Sequence, residues 1–109
     1  MGMRETTYFI LAALQDGPLH GYAIIQRASE LSTGRIRLAT GTLYTALERL
    51  TGTGLIRVVD EQIVNGRARR SYELTPTGGA ALKDHAEQLA AAARVVTERR
   101  VTRTVVRPA

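Results

Sequence analysis

No cysteine and no tryptophan occur among the 109 residues, and histidine occurs only twice, at His20 and His85. Without thiols there is no disulfide framework, no thiolate metal site and no redox chemistry, and the composition suits a reducing compartment. Lysine is almost missing too: of 15 basic residues only Lys83 is not arginine. No apolar run approaches the ~18 residues of a membrane span, and the basic-then-apolar order of a secretion signal is lacking. A soluble, cytoplasmic protein without a membrane partner is therefore expected. Met1 to Thr6 formally fits a myristoylation pattern, but so short a match arises easily by chance and requires a eukaryotic modifying enzyme.

Catalysis needs a positioned acid, base or nucleophile. His20 and His85 fall in separate predicted helices and share no motif. A glycine-rich phosphate loop, metal-spaced His or Glu pairs and a nucleophile elbow are all missing. The chain reads as a non-enzyme, with neither cofactor nor metal.

What is present is a chain of single-domain size with 44% hydrophobic and 23% charged residues, enough apolar content for a packed core. The formal charge of +5, carried mostly by arginine, suits bidentate contacts with phosphate and guanine. It is equally the charge that keeps a small domain soluble, so charge alone does not decide the partner.

Periodicity supplies the architecture. Glu5 to Gln15 is apolar nearly all round, with Met3, Thr7, Ile10, Leu11 and Leu14 on one stripe and Tyr8, Phe9 and Ala12 among the rest. Such a helix must be covered on two sides, and a second subunit can supply the second. Asp16-Gly17-Pro18-Leu19 reads as a stop and turn. A second helix is predicted from about His20 to Leu31 and a third from Gly41 to Thr51, with Leu43, Ala46, Leu47 and Leu50 on the inward face. Leu55 to Val59 and Arg69 to Leu74 are predicted strands, joined across Asn65-Gly66, the strongest short-range hairpin signal. Thr75-Pro76 opens a last helix running to about Arg100. Along it Leu82, Ala86, Leu89, Ala93 and Val96 recur at steps of four and three, the seam of a helix that packs on a helical partner.

Three short helices, a hairpin and a long helix make a mainly α chain with a small β-hairpin, in the order of a winged helix-turn-helix with a long C-terminal dimerisation helix. The division expected is a DNA-binding unit over residues 1–75, the dimerisation helix over 76–100 and a frayed tail over 101–109.

Three motifs in order make this specific. Leu19-His20-Gly21-Tyr22-Ala23-Ile24 resembles the start of the second helix of PadR-family regulators. Gly41-Thr42-Leu43-Tyr44, Leu47-Glu48-Arg49-Leu50 and Gly54-Leu55-Ile56 resemble their recognition helix and its exit. Gly66-Arg67-Ala68-Arg69-Arg70-Ser71-Tyr72-Glu73-Leu74-Thr75-Pro76-Thr77-Gly78 resembles their wing and its entry into the final helix. The likeness spans roughly residues 5 to 80. It departs where the family has Ser-Pro and, after the tyrosine, Pro; here Ala39, Thr40 and Thr45 stand instead, and Thr40 is available as a cap one residue later.

The resemblance implies a homodimeric repressor on a palindromic operator in double-stranded DNA, released by a small-molecule effector near the dimer interface. Groove geometry gives Thr42, Tyr44, Thr45 and Arg49 as recognition-helix contacts, with Thr40 at its start. Tyr22 fits a phosphate contact or a half-buried core position equally, whereas Tyr72 reads as packing. Arg67, Arg69 and Arg70 fit a wing on the backbone or in the minor groove, and Arg35 and Arg37 add phosphate neutralisation. The dimer interface is expected to hold Tyr8, Phe9, Ala12, Leu82, His85, Ala86, Leu89, Ala93 and Val96. The alternative is a winged-helix module that assembles proteins and never touches DNA.

Overall fold

The computed structural model describes residues 3–99, so the expected tail over 101–109 lies outside the described residues. Four helices and a small sheet follow in the order α1 (Glu5–Ala13), β1 (Leu19–His20), α2 (Gly21–Leu31), α3 (Thr40–Gly52), β2 (Ile56–Val64), β3 (Arg67–Leu74) and α4 (Pro76–Thr97). This is the winged helix-turn-helix with a C-terminal helix.

The core forms where the apolar stripes meet. Ile10, Leu11 and Leu14 from α1 and its end, Ile24 from α2, and Leu43, Leu47 and Leu50 from α3 are essentially sealed from solvent. Each such side chain contributes about 1.5–3 kcal/mol by leaving water. Tyr72 and Leu82 close the cluster from β3 and α4.

Several boundaries differ from expectation for local reasons. Helix α1 ends at Ala13, not Gln15: Leu14 is already its C-cap, and the Leu14 and Gln15 amides donate to carbonyls three residues back, tightening the end. His20 lies outside α2 as its N-cap, its Nδ1 accepting from the Ala23 amide at 3.4 Å. With Leu19 it forms a strand against Ser71 and Tyr72 of β3, so the sheet has three strands in the order β1-β3-β2 and is more than a hairpin. Helix α3 starts at Thr40 with Ala39 as N-cap and no side-chain capping bond, so Thr40 is the first helical residue and does not cap.

Strand β2 runs to Val64, five residues past the predicted end, and β3 starts at Arg67. Asn65 and Gly66 both take positive φ, 52° and 77°, the paired left-handed conformation of a type I′ hairpin. The ladder slips between Val58 and Asp60, a bulge of the kind that bends a strand and sharpens its twist. Thr75 caps α4 as predicted, its Oγ1 accepting from the Gly78 amide at 3.0 Å. Leu82 is buried and His85 and Ala86 are half-buried, but every described residue from Glu87 onward is exposed. Among the described residues, the second half of α4 is covered by no other element of the chain.

Candidate nucleic-acid interface

Helix α3 turns Leu43, Ala46, Leu47 and Leu50 inward. At about 100° per residue, this leaves Gly41, Thr45, Glu48 and Gly52 along its outward crest. Tyr44 lies on one flank and Thr42 and Arg49 on the other. The two flanks border different surfaces.

On the Tyr44 flank, the start of α2, the recognition helix and the wing enclose a cleft of about 560 Å³ lined by His20, Gly21, Tyr22, Tyr44, Val64, Asn65, Arg67, Ala68 and Arg69. Tyr22 is 65% exposed and Tyr44 48%, which removes Tyr22 from the core. Gly21 is what lets Tyr44 in: a Cβ there would sit 2.5 Å from the Tyr44 hydroxyl oxygen. Two phenolic hydroxyls and two guanidinium groups thus share a cleft that no carboxylate lines among the described residues.

The three wing arginines do not act together. Strand alternation puts Arg67 and Arg69 on one face of β3 and Arg70 on the other. Arg70 lies beside Tyr72, its Nε donating to Glu61 at 3.2 Å, and the Glu61 carboxylate holds its guanidinium still more firmly protonated.

On the other flank, Arg49 stands in the last turn of α3, and its Nη2 donates to the buried Thr7 Oγ1 of α1 at 3.2 Å. Arg49 thus stands past the N-terminal turn of α3, and in the isolated protomer its guanidinium leans toward α1. Thr42, Thr45 and Arg49 share a shallow groove with Arg4 and Thr6. Arg35 is also directed to α1, paired with Glu5 and 5.9 Å from the centre of the Phe9 ring. Arg37 donates from Nε to the Gly34 carbonyl at 3.1 Å and stays exposed. Thr40 and Thr42 are exposed at the start of α3.

The expected interface residues separate by depth. Tyr8, Phe9 and Ala12 are half-buried on α1. Tyr8 meets Phe9 and His85 edge-on, with centroids 5.2 and 5.6 Å away. Leu89, Ala93 and Val96 are exposed.

Residues 10–84 match the sequence profile of the transcriptional regulator PadR-like family. Over 87 residues, 80% of this chain and 78% of the relative, it is 42% identical to transcriptional regulator Rv3488 of Mycobacterium tuberculosis. The chain belongs to the PadR-like family of transcriptional regulators.

Solved PadR structures agree. Bacillus subtilis PadR, crystallised in complex with operator DNA, is 29% identical and superposes with a TM-score of 0.65 over 74% of this chain. The chain spans only 46% of that protein's length. A PadR-family regulator from Clostridium difficile, 23% identical, shares the fold with a TM-score of 0.71 over 87% of this chain and 97% of that one.

His20, Asn65, Arg4, Thr6 and Glu48, which lie along the two flanks and crest in this PadR-like regulator, are not among the DNA contacts expected from its sequence. Three of them stand in motifs that the sequence displays: His20 beside Gly21 and Tyr22, Glu48 within Leu47-Glu48-Arg49-Leu50, and Asn65 in the Asn65-Gly66 turn.

Tyr72 has the expected packing role and a measurable signature. Burial pushes its hydroxyl above the ordinary tyrosine value of 10.0, with the Arg70 guanidinium pulling the other way. The fold thus favours the protonated phenol. Its contribution is full below the ordinary value and is lost as pH rises through the higher value of the folded state. Melting temperature should fall above about pH 10, and Tyr72→Phe should flatten that fall. An equal slope in both proteins would remove Tyr72 as the cause.

Proposed function

We propose that the chain is a cytoplasmic homodimeric repressor of a palindromic operator in double-stranded DNA. Residues 1–75 are its reading unit, and α4, within residues 76–100, serves dimerisation. The observation that carries this reading is the cleft beside α3, where Tyr22, Tyr44, Arg67 and Arg69 converge. Hydroxyls and guanidinium groups on one side of an exposed helix suit a phosphate backbone flanking a major groove. The start of α2 adds the partial positive charge of a helix N-terminus. The operator complex of the B. subtilis relative supports the same use of the fold.

A dimer would place two copies of α3 in successive major grooves, ~34 Å apart, and bound there would exclude polymerase from a promoter. An effector has a place to act where α1 meets α4. A cavity of about 300 Å³ is lined there by Tyr8, Phe9, Arg35, His85 and Leu89, together with Met3 and Glu5. A molecule bound in it shifts the two reading heads only through unequal affinity for their two spacings.

Salt dependence tests the reading. A dimer making about 6–10 phosphate contacts loses roughly 10³ or more in affinity between 50 and 200 mM salt. Arg67→Ala with Arg69→Ala should weaken binding to all sequences alike and lower the salt slope by about four across the dimer. A protein-assembly module would bind no duplex at either salt, and an unchanged slope in the double variant would remove the wing from the contact.

A further inference from the structure

We infer that Glu48 is a specificity-determining residue that accepts a hydrogen bond from the exocyclic amino group of a cytosine in the major groove. The inference rests on the proposed insertion of α3 into DNA.

Three observations lead to it. Glu48 stands on the α3 crest, away from the buried stripe of Leu43, Ala46, Leu47 and Leu50, so insertion of this helix brings its carboxylate to the groove floor. No cation among the described residues forms an ion pair with it, although its neighbour Arg49 is committed to Thr7 and Arg70 to Glu61. Glu48 opens on a shallow pocket that it lines with Tyr44, Thr51 and Arg70, and the crest carries glycine at both ends. Gly41 and Gly52 lie in the helix with open space where a Cβ would be, so neither is glycine for want of room within this chain. Glycine is a poor helix residue, and its use at both ends of the crest lets the backbone sink deeper and leaves Thr45 and Glu48 as the protruding side chains.

A lone carboxylate approaching a phosphate-lined groove is repelled, so it weakens binding wherever no donor meets it. The base edges differ sharply in this respect. Guanine offers N7 and O6 and thymine offers O4, all acceptors that repel a carboxylate, whereas cytosine offers the N4 amino donor. Adenine presents its N6 amino group beside the N7 acceptor, which makes it a poorer match than cytosine. Glu48 therefore contributes mainly by rejection: it suppresses binding to most sequences and is relieved of that effect at one base pair.

The experiment is selection from a library of random duplexes with the wild-type chain, E48Q and E48A, alongside anisotropy titrations on an alternating A·T duplex. The wild type should enrich cytosine at one position of each half-site by about tenfold or more. E48Q should move that position to adenine, whose N6 and N7 suit an amide. E48A should flatten that position alone and bind the A·T duplex about threefold more tightly. Enrichment of one unchanged motif by all three proteins, or a flattened position without tighter A·T binding, overturns the role of Glu48 and leaves DNA binding standing. Enrichment of no duplex by the wild type overturns both.

Discussion

Gly78→Ala should cost the fold about 3 kcal/mol or more, while Gly79→Ala, one residue further on, should stabilise it by up to about 1 kcal/mol. Both glycines lie in the first turns of α4, where alanine is intrinsically the better helix residue. At Gly79 nothing opposes that preference, because a Cβ there meets no atom. At Gly78 a Cβ would land on the carbonyl group of Leu55, a backbone group without a rotamer to move.

Leu55 cannot retreat, because it is held from two directions. Its amide donates to the Leu50 carbonyl at 3.0 Å, and its own carbonyl accepts from the Thr75 amide at 3.1 Å. Thr75 in turn caps α4 through Gly78. The crossing of α4 over the exit of α3 is therefore a closed set of backbone contacts whose spacing requires a residue without a side chain. For a chain of this size, 1 kcal/mol moves the melting temperature by roughly 4–8 °C, so the two variants should part clearly in thermal or urea unfolding. Equal melting of Gly78→Ala and the wild type would show that α4 can lift from Leu55 at little cost.

What could be read from the residues follows from where structure is locally encoded. The inward stripe of α3, the Asn65-Gly66 turn and the Thr75 cap each rest on neighbours within a few residues, and each stands where periodicity or turn chemistry put it. Strand β1 was illegible because two residues carry no period and their partners, Ser71 and Tyr72, lie some fifty positions away. The outer half of β2 was missed because Asp60, Glu61 and Gln62 are all exposed on a bent wing, where no buried face imposes alternation.

Side-chain direction was the least legible feature. Arginine at 35, 49 and 70 looks alike in a basic chain. Glu5 and Phe9 claim the first, Thr7 the second and Glu61 the third, and only tertiary packing brings those partners near. The same packing brings Tyr22, Tyr44, Arg67 and Arg69, from three separate elements, to one cleft.

Leu89→Glu combined with Val96→Glu should convert the protein to a monomer and lower operator affinity by about 10²–10⁴, with its melting behaviour as an isolated chain little changed. Within one protomer, Leu89 is 46% exposed and Val96 75%, so neither supports the core. Exposed apolar side chains at helical spacing on a long helix fit the seam of the proposed dimer. Covering each side chain in a dimer contributes about 1.5–3 kcal/mol, counted once per subunit, and a pair of facing carboxylates reverses that gain. The loss of DNA affinity follows from geometry alone. Two linked reading heads bind the second half-site at the high effective concentration set by their connection, and separated heads bind each half-site independently. Sedimentation at micromolar concentration and titration of a two-site against a one-site duplex measure the two effects separately. A variant that stays dimeric would move the seam away from α4. One that becomes monomeric yet keeps full affinity for the two-site duplex would show that the heads never acted as a pair.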